Sequence, residues 1–181
     1  MQDLSIYKTP KGFRGRPKLI VQLWRLTHVL LFKTSPQFLY GWRRFLLRLF
    51  GAKIGKKVII RPNVEITYPW KVSIGDYSWI GDNVSLYSLG EISIGQNTVI
   101  SQKCYLCTGT HDYSKRDFPI SSKKVEIGNS VWLATDVYVA PGITIHDNVV
   151  VGARSSVFKN LNKGKLYYGN PTILIKDRVS E

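Results

Sequence analysis

The chain is poor in the residues that build metal centres and disulfide frameworks. Its 181 residues include three histidines, two cysteines and one methionine. Two cysteines cannot make a framework of bridges. They stand as C-x-x-C in "CYLC", Cys104 and Cys107, with no second pair, which excludes a zinc ribbon. Acids are scarce: 12 Asp and Glu face 26 Lys and Arg, for a net charge of +14. Long apolar runs are missing too. The run from Leu19 to Phe32 has fourteen residues with Arg25 and His28 inside it, too short and too charged to span a bilayer. No succession of charged, apolar and cleavage regions marks a secretory leader.

What is abundant is a beat of six. Ile54, Ile60 and Ile66 are six apart; after a slip of two come Ile74, Ile80 and Leu86, and after another Ile94, Ile100 and Leu106. The beat returns with Ile127, Leu133 and Val139, then Ile145, Val151 and Val157. A second column, four residues after each, is mostly small or branched and runs from Val58, Val64 and Trp70 to Ser155 and Leu161. A helix repeats near 3.6 residues and a simple strand at 2. A strict six, often with Gly after the aliphatic, suits a short strand, a turn and another short strand. Internal repeats of this kind mark a parallel β-helix. The slips fall after every third hexapeptide, which gives three faces per coil and five coils starting at Ile54, Ile74, Ile94, Ile127 and Ile145. At ~4.8 Å per coil the prism stands roughly 24 Å tall. Spacing alone does not fix its hand. Cys104 falls in the inward column, so both thiols read as packing groups and not as a redox pair. Trp70, also in that column, and Trp79, beside Ile80, read as structural.

Charge divides the chain. Residues 1–53 hold eleven Lys or Arg and one acid, Asp3, so +10; the remaining 128 hold fifteen and eleven, so +4. The first segment contains "PKLIVQLWRLTHVLLFK" and "FLYGWRRFLLRLFGAK", which predict helices with Leu, Trp and Phe on one face and Arg on the other. The expected organisation is a basic amphipathic helical segment at 1–53, a β-helix at 54–162 with an inserted loop at 112–126, and a tail at 163–181. The helices are expected to cap the open end of the β-helix. Their arginines, Arg43, Arg44 and Arg48, would be placed to meet the headgroups of an anionic membrane as well. Nucleic acid is not an expected partner, because the aromatics sit on the apolar faces and not among the arginines. His28 reads as packing or surface and His146 as a solvated corner.

The interruption of the beat is the candidate site. Fifteen residues, Asp112 to Glu126, separate the third coil from Ile127. A flat prism wall lacks concavity, and a loop that leaves it supplies one. His111 stands at its root, where a fixed imidazole can serve as a general base. Asp112 is expected to point away from it.

The run "IGNSVWLATDVYVAPGITIHDNVVVGARSSVFKN", followed by "YYGNP", resembles the C-terminal half of hexapeptide-repeat O-acetyltransferases, and "CTGTHDY" resembles their catalytic loop. Toward the N-terminus, "LLRLFGAKIGKKVIIRPNVEITYPWKVSIGDYSWIGDNVSLY" is similar to the branch in colanic-acid, exopolysaccharide and lipopolysaccharide biosynthesis. The resemblance implies an all-β solenoid, a left-handed parallel β-helix with an N-terminal helical appendage, assembled as a homotrimer. It implies acetyl-CoA as co-substrate and His111 as the catalytic base. Thr135 and Ala153 would line the pantetheine groove, with Lys159 near the nucleotide phosphates and Lys176 as a second basic contact. A further Arg of the relatives is replaced by Ile173. Relatives carry an acceptor-side Asn in a stretch like "YNLG"; here "YSLG" puts Ser88 there, which has no amide N–H to donate. Trp132, outward by parity, would be a wall for the acceptor or the thioester.

The expected activity is acetyl transfer to a sugar hydroxyl in extracellular or surface polysaccharide biosynthesis. The acceptor would be a sugar or a lipid-linked oligosaccharide, and the enzyme cytoplasmic or peripheral on the inner face of the membrane. Acetylation of a free small molecule, such as an antibiotic or serine, and a non-catalytic β-helix scaffold stay open as alternatives. A zinc enzyme like the β-helical carbonic anhydrases would need three His, and the coils hold only His111 and His146, two coils apart.

Overall fold

The computed structural model describes residues 2–178. An N-terminal arm with a 3₁₀ turn at Leu4–Ile6 leads into α1 (Lys18–Thr27), a π-helical turn (His28–Phe32) and α2 (Tyr40–Leu49). The chain then winds into a solenoid. The first coil is β1 (Lys53–Ile54), β2 (Ile59–Ile60) and β3 (Glu65–Ile66); the second is β4 (Val72–Ile74), β5 (Trp79–Ile80) and β6 (Ser85–Tyr87). The third is β7 (Ile92–Ile94), β8 (Val99–Ile100) and β9 (Tyr105–Cys107), after which β10 (Gly109–His111) and β11 (Ile120–Ser122) form a hairpin. The fourth is β12 (Val125–Ile127), β13 (Trp132–Leu133) and β14 (Tyr138–Val139), and the fifth is β15 (Thr144–Ile145), β16 (Val150–Val151) and β17 (Ser156–Val157). Equivalent strands pair in parallel across the coils, so three sheets make the three faces.

The solenoid runs past residue 162. Leu161 bridges to Ile145, β18 (Lys165–Tyr168) pairs in parallel with β16, and β19 (Ile173–Asp177) folds back antiparallel on β18. The expected separate tail is therefore a sixth, partial turn as far as residue 178; residues 179–181 lie outside the described residues. The cause is the open N–H row of the fifth coil: Gly152 donates to Tyr167 O at 2.8 Å, and a strand edge left unpaired invites association.

All fifteen aliphatics of the six-residue beat are buried. The second column holds as read except at Trp70, Gly90 and Thr110, which are only half-buried. Those three fall at the corner where the repeats slip. There the interior is filled by Val72, Ile92 and Val125 instead. Trp70 sits in a 3₁₀ turn, stacks on Tyr68 and donates its indole N–H to Arg14 O at 2.8 Å. It ties the arm to the prism and does not fill the axis. The polar members of the column keep their hydrogen bonds: Ser78 donates to Gly95 O and Thr98 to Gly128 O. Cys104 donates to Ala134 O, and burial pushes its thiol up to about 11, which leaves it inert as a nucleophile.

The Gly after the aliphatic has a steric cause in the first sheet. A Cβ on Gly95 would lie 2.6 Å from the Gly128 carbonyl carbon, and one on Gly75 2.7 Å from the Gly95 carbonyl carbon. Each coil leaves no room for a side chain against the next. His146 occupies the same position in the fifth coil, above which only the partial turn follows, and it is exposed. Gly95→Ala is therefore expected to destabilise by about 1–3 kcal/mol, while His146→Ala stays within ~0.5 kcal/mol. Urea unfolding of the two variants checks the contrast.

The appendage caps the first coil with its polar groups. Each coil's N–H groups donate to the carbonyls of the next, as in Gly55 N–H to Ile74 O and Glu65 N–H to Val84 O. The first coil's own carbonyls thus point at the open end. Arg48 donates to Ile54 O and Gly55 O, Arg44 to Val58 O, Arg43 to Ile60 O, His28 to Val64 O and Trp24 to Ile66 O. Burial holds His28 below its ordinary value, consistent with a neutral ring donating from Nε2. The expectation that Arg43, Arg44 and Arg48 turn toward a membrane is thus overturned. They are spent on carbonyls that no strand meets. Val21, Trp24, Leu46 and Leu47 pack inward beside them, and no helix among the described residues is long and apolar enough to cross a membrane.

Candidate active site

The interruption is a hairpin, and it starts earlier than the sequence suggested. Gly109, Thr110 and His111 pair with Ser122, Ser121 and Ile120. Val125 already pairs with Ile92 in the first sheet, so the excursion has ended before it. His111 is held by this two-stranded arm and not by a coil. The hairpin base packs on the prism: Ile120 joins Leu89, Tyr68, Phe13 and Val21 in a small second cluster.

His111 is half-buried and fixed from two sides. Its ring stacks on Phe118, 4.3 Å between centroids and 9° between planes, and Nδ1 lies 2.9 Å from Phe118 O. A carbonyl only accepts, so Nδ1 carries a proton, and in the neutral ring Nε2 keeps the lone pair. Phe118 has φ +44°, a left-handed conformation that a bulky residue adopts at a cost of about 1–3 kcal/mol. That strain lets one residue offer both its ring and its carbonyl to His111. Asp112 faces elsewhere, as expected. Its carboxylate accepts from Ser114 N–H and Oγ, which hold it below the usual range. The arm closes over the other side: Tyr7 lies 6.3 Å from the His111 ring, and Asp3 donates its N–H to Arg116 O at 2.7 Å.

The family profile described as bacterial transferase hexapeptide (six repeats) matches residues 124–159. Over 179 residues, 99% of this chain and 98% of the relative, the sequence is 60% identical to WcaF of Escherichia coli (strain K12), named as a colanic acid biosynthesis acetyltransferase. The chain belongs to the hexapeptide-repeat acetyltransferases. It is an acyltransferase with acetyl-CoA as its co-substrate. Two solved structures resemble the acetyltransferase closely. A maltose O-acetyltransferase from Clostridium difficile 630 superposes with a TM-score of 0.82 at 27% identity, covering 96% of this chain and 92% of that one. A galactoside acetyltransferase in complex with coenzyme A also gives 0.82, at 25% identity, covering 94% and 84%.

The remaining residues expected at the site do not gather around His111 within one chain. Trp132 is on the outer side of the second sheet, 48% exposed, its indole N–H donating to Ser101 Oγ at 3.0 Å. The hairpin leaves the corner between the third and first sheets, which is the corner opposite that face. Thr135 and Ala153 are stacked at the corner between the second and third sheets, where Arg154 N–H donates to Thr135 O at 2.8 Å. Lys159 is exposed just beyond β17, and Lys176 is exposed on β19 opposite Leu166. Ser88 is not available to an acceptor. It is fully buried, and its hydroxyl accepts from Tyr68 N–H at 2.8 Å and donates to Tyr68 O at 3.1 Å. A shorter side chain at that place has turned inward to bind the preceding coil.

Sequence reasoning missed Phe118 and Tyr7. Neither carries a local signal, since a stacking partner seven residues away in an irregular loop has no periodicity. Phe118→Ala is expected to lower kcat about 10- to 100-fold through misplacement of the base, with KM for acetyl-CoA nearly unchanged. Steady-state kinetics reads the kcat and KM effects, and the thermal transition separates them from unfolding, which would also lower apparent kcat at unchanged KM.

Proposed function

We propose that the acetyltransferase moves acetyl from acetyl-CoA to a hydroxyl of a sugar in a surface-polysaccharide precursor, in the cytoplasm or at its membrane face. The free Nε2 lone pair of His111 carries this reading. Nε2 takes the hydroxyl proton as the acceptor oxygen attacks the thioester carbonyl. The tetrahedral adduct collapses with cleavage of the C–S bond, and the Nε2 proton passes to the departing thiolate. The Phe118 carbonyl holds Nδ1–H throughout and stabilises the imidazolium between the two transfers. The sugar acceptor is supported by the relatives' names: colanic acid in one, galactoside and maltose in the others.

The same reading places acetyl-CoA against Thr135, Ala153, Lys159 and Lys176. Among the described residues Thr135 Oγ1 is a buried hydroxyl without a partner, which suits it to bond an amide of the pantetheine arm. Ala153 beside it is small and exposed, so an extended arm can pass. Two exposed lysines suit the nucleotide phosphates.

The faces of the prism support a trimer with shared sites. The outer residues of the first sheet, Lys53, Ser73, Ser93, Glu126 and Thr144, are polar. The second sheet presents Trp79 and Trp132, and the third presents Tyr105 stacked on Tyr138 with Tyr87 tilted beside them, between Glu65 and Ser156. Two faces that each carry exposed aromatics suit a closed ring, each copy's second face toward the next copy's third. In such a ring Trp132 of one copy comes to the side of its neighbour from which the hairpin leaves. The test is transfer of labelled acetyl across nucleotide sugars and lipid-linked oligosaccharides. An acetylated sugar product is expected. Thioester turnover with serine or an antibiotic and none with any sugar would overturn the reading.

A further inference from the structure

We infer that the N-terminal cap is a membrane-docking platform that inserts its outer apolar face into an anionic lipid surface. The inference deepens the proposed location by naming the surface that makes the contact. Both helices are apolar on two opposite sides. Val21 and Trp24 of α1 pack on the prism, while Leu19, Leu23 and Leu26 form a stripe on the far side, 44% to 69% exposed. On α2, Arg43, Leu46 and Leu47 face inward, and Trp42, Phe45 and Leu49 face out, 38% to 66% exposed. Phe38, just before α2, is 75% exposed. The two stripes cover the end of the prism, where no further coil can bury them. Trp42 donates its indole N–H to Leu31 O at 3.0 Å, which ties α2 to the π-helical turn that continues α1. An apolar patch of this extent on a charged protein marks an interaction surface.

Charge selects the occupant. Of the first 53 residues only Asp3 is acidic, and it is engaged with Arg116. Lys18 and Arg25 flank the α1 stripe at helical spacing, and both are exposed, as are Lys8, Lys11 and Arg16 on the arm. Two copies meeting end to end would bring two such basic caps together, which like-charge repulsion opposes. Apolar helices with a basic flank, too short to span a bilayer, suit the headgroup boundary of anionic lipid. In a parallel ring all caps would lie at one end and share one plane. The His111 hairpin leaves the third coil and the cap covers the first, so about two coil steps, roughly 10 Å, and one helix layer, about 10 Å, separate the base from that plane. A sugar carried on a lipid anchor is within such a reach.

Co-sedimentation of the full chain with vesicles tests this, without reference to turnover. Vesicles of phosphatidylcholine with phosphatidylglycerol are expected to carry the protein down at low salt, and added salt to weaken it. Phosphatidylcholine alone should bind far less. The triple variant Leu26→Gln, Phe38→Gln, Phe45→Gln should lose binding by about ten-fold or more while keeping its transfer to a soluble acceptor. The pair Lys18→Glu, Arg25→Glu should lose binding to the anionic vesicles. His111→Ala should bind as the wild type does, so failure of the catalytic reading leaves this result standing. No sedimentation of the wild type with anionic vesicles, or equal binding by wild type and triple variant, overturns the inference. So does an end-to-end association of the wild type in velocity sedimentation that the triple variant loses.

Discussion

His111→Ala is expected to lower acetyl transfer by ~10²–10⁴ while leaving the fold intact, which is the loss ordinarily seen when a general base is removed. The structural cost should be small. His111 is half-buried on a hairpin that projects from the prism, and the bond it gives up is one to a loop carbonyl. The variant leaves a slot against the Phe118 ring, so added imidazole is expected to restore part of the rate, which a merely unfolded variant could not show. A variant retaining near-full activity would sink the mechanism. The placement of Trp132 on the opposite side of the prism sharpens the test. If Trp132→Ala also lowers turnover, a mixture of that variant with His111→Ala distinguishes shared from private sites. Random mixing in a three-fold ring gives about a quarter of the sites an intact pair drawn from two neighbours. Sites built within single chains would regain nothing.

The solenoid was legible because its physics is periodic. A residue every six positions must be aliphatic to fill a three-sided interior, and the slips of two marked the corner where the interior partners change from Trp70 and Gly90 to Val72 and Ile92. The candidate site was visible as a break in that period, with His111 beside it. What the period could not convey were contacts made away from the beat. Ser88 is a column-adjacent residue whose hydroxyl was captured by Tyr68, one coil below. Phe118 holds the His111 ring through a backbone conformation that its type disfavours, and propensity reasoning argues against such a placement. The direction of the arginines on the cap was misread for a different reason. Amphipathicity tells that a helix has two faces, and here the arginine face is the one the protein needs. A row of unmet carbonyls demands donors more than it demands methyl groups.

That demand yields a second large effect, in stability. Arg43→Ala is expected to destabilise the protein by about 3–5 kcal/mol, the range for stripping the donor from a buried polar network. Arg43 is completely enclosed. Nε donates to Ile60 O at 2.6 Å, Nη1 to Ser35 Oγ at 2.7 Å and to Pro36 O at 3.0 Å, and Nη2 to Gln37 O. No carboxylate is among these partners, so the charge is balanced by carbonyl and hydroxyl dipoles, with the Tyr40 ring 5.2 Å from the guanidinium carbon. Removal leaves Ile60 O and its neighbours dry and unpaired at the mouth of the prism. Arg43→Met would fill the volume and supply no donor, so it should recover little. Arg43→Lys keeps a charge but replaces a planar fork with a single point, and should fall between. Arg25→Ala, on the exposed side of α1, should stay within ~0.5 kcal/mol. For a chain of this length the Arg43→Ala loss corresponds to a fall in Tm of about 10 °C. Scanning calorimetry of the four variants orders them. An Arg43→Ala protein within about 1 kcal/mol of wild type would mean that water reaches the first-coil carbonyls, and that the arginines are not what closes this end of the solenoid.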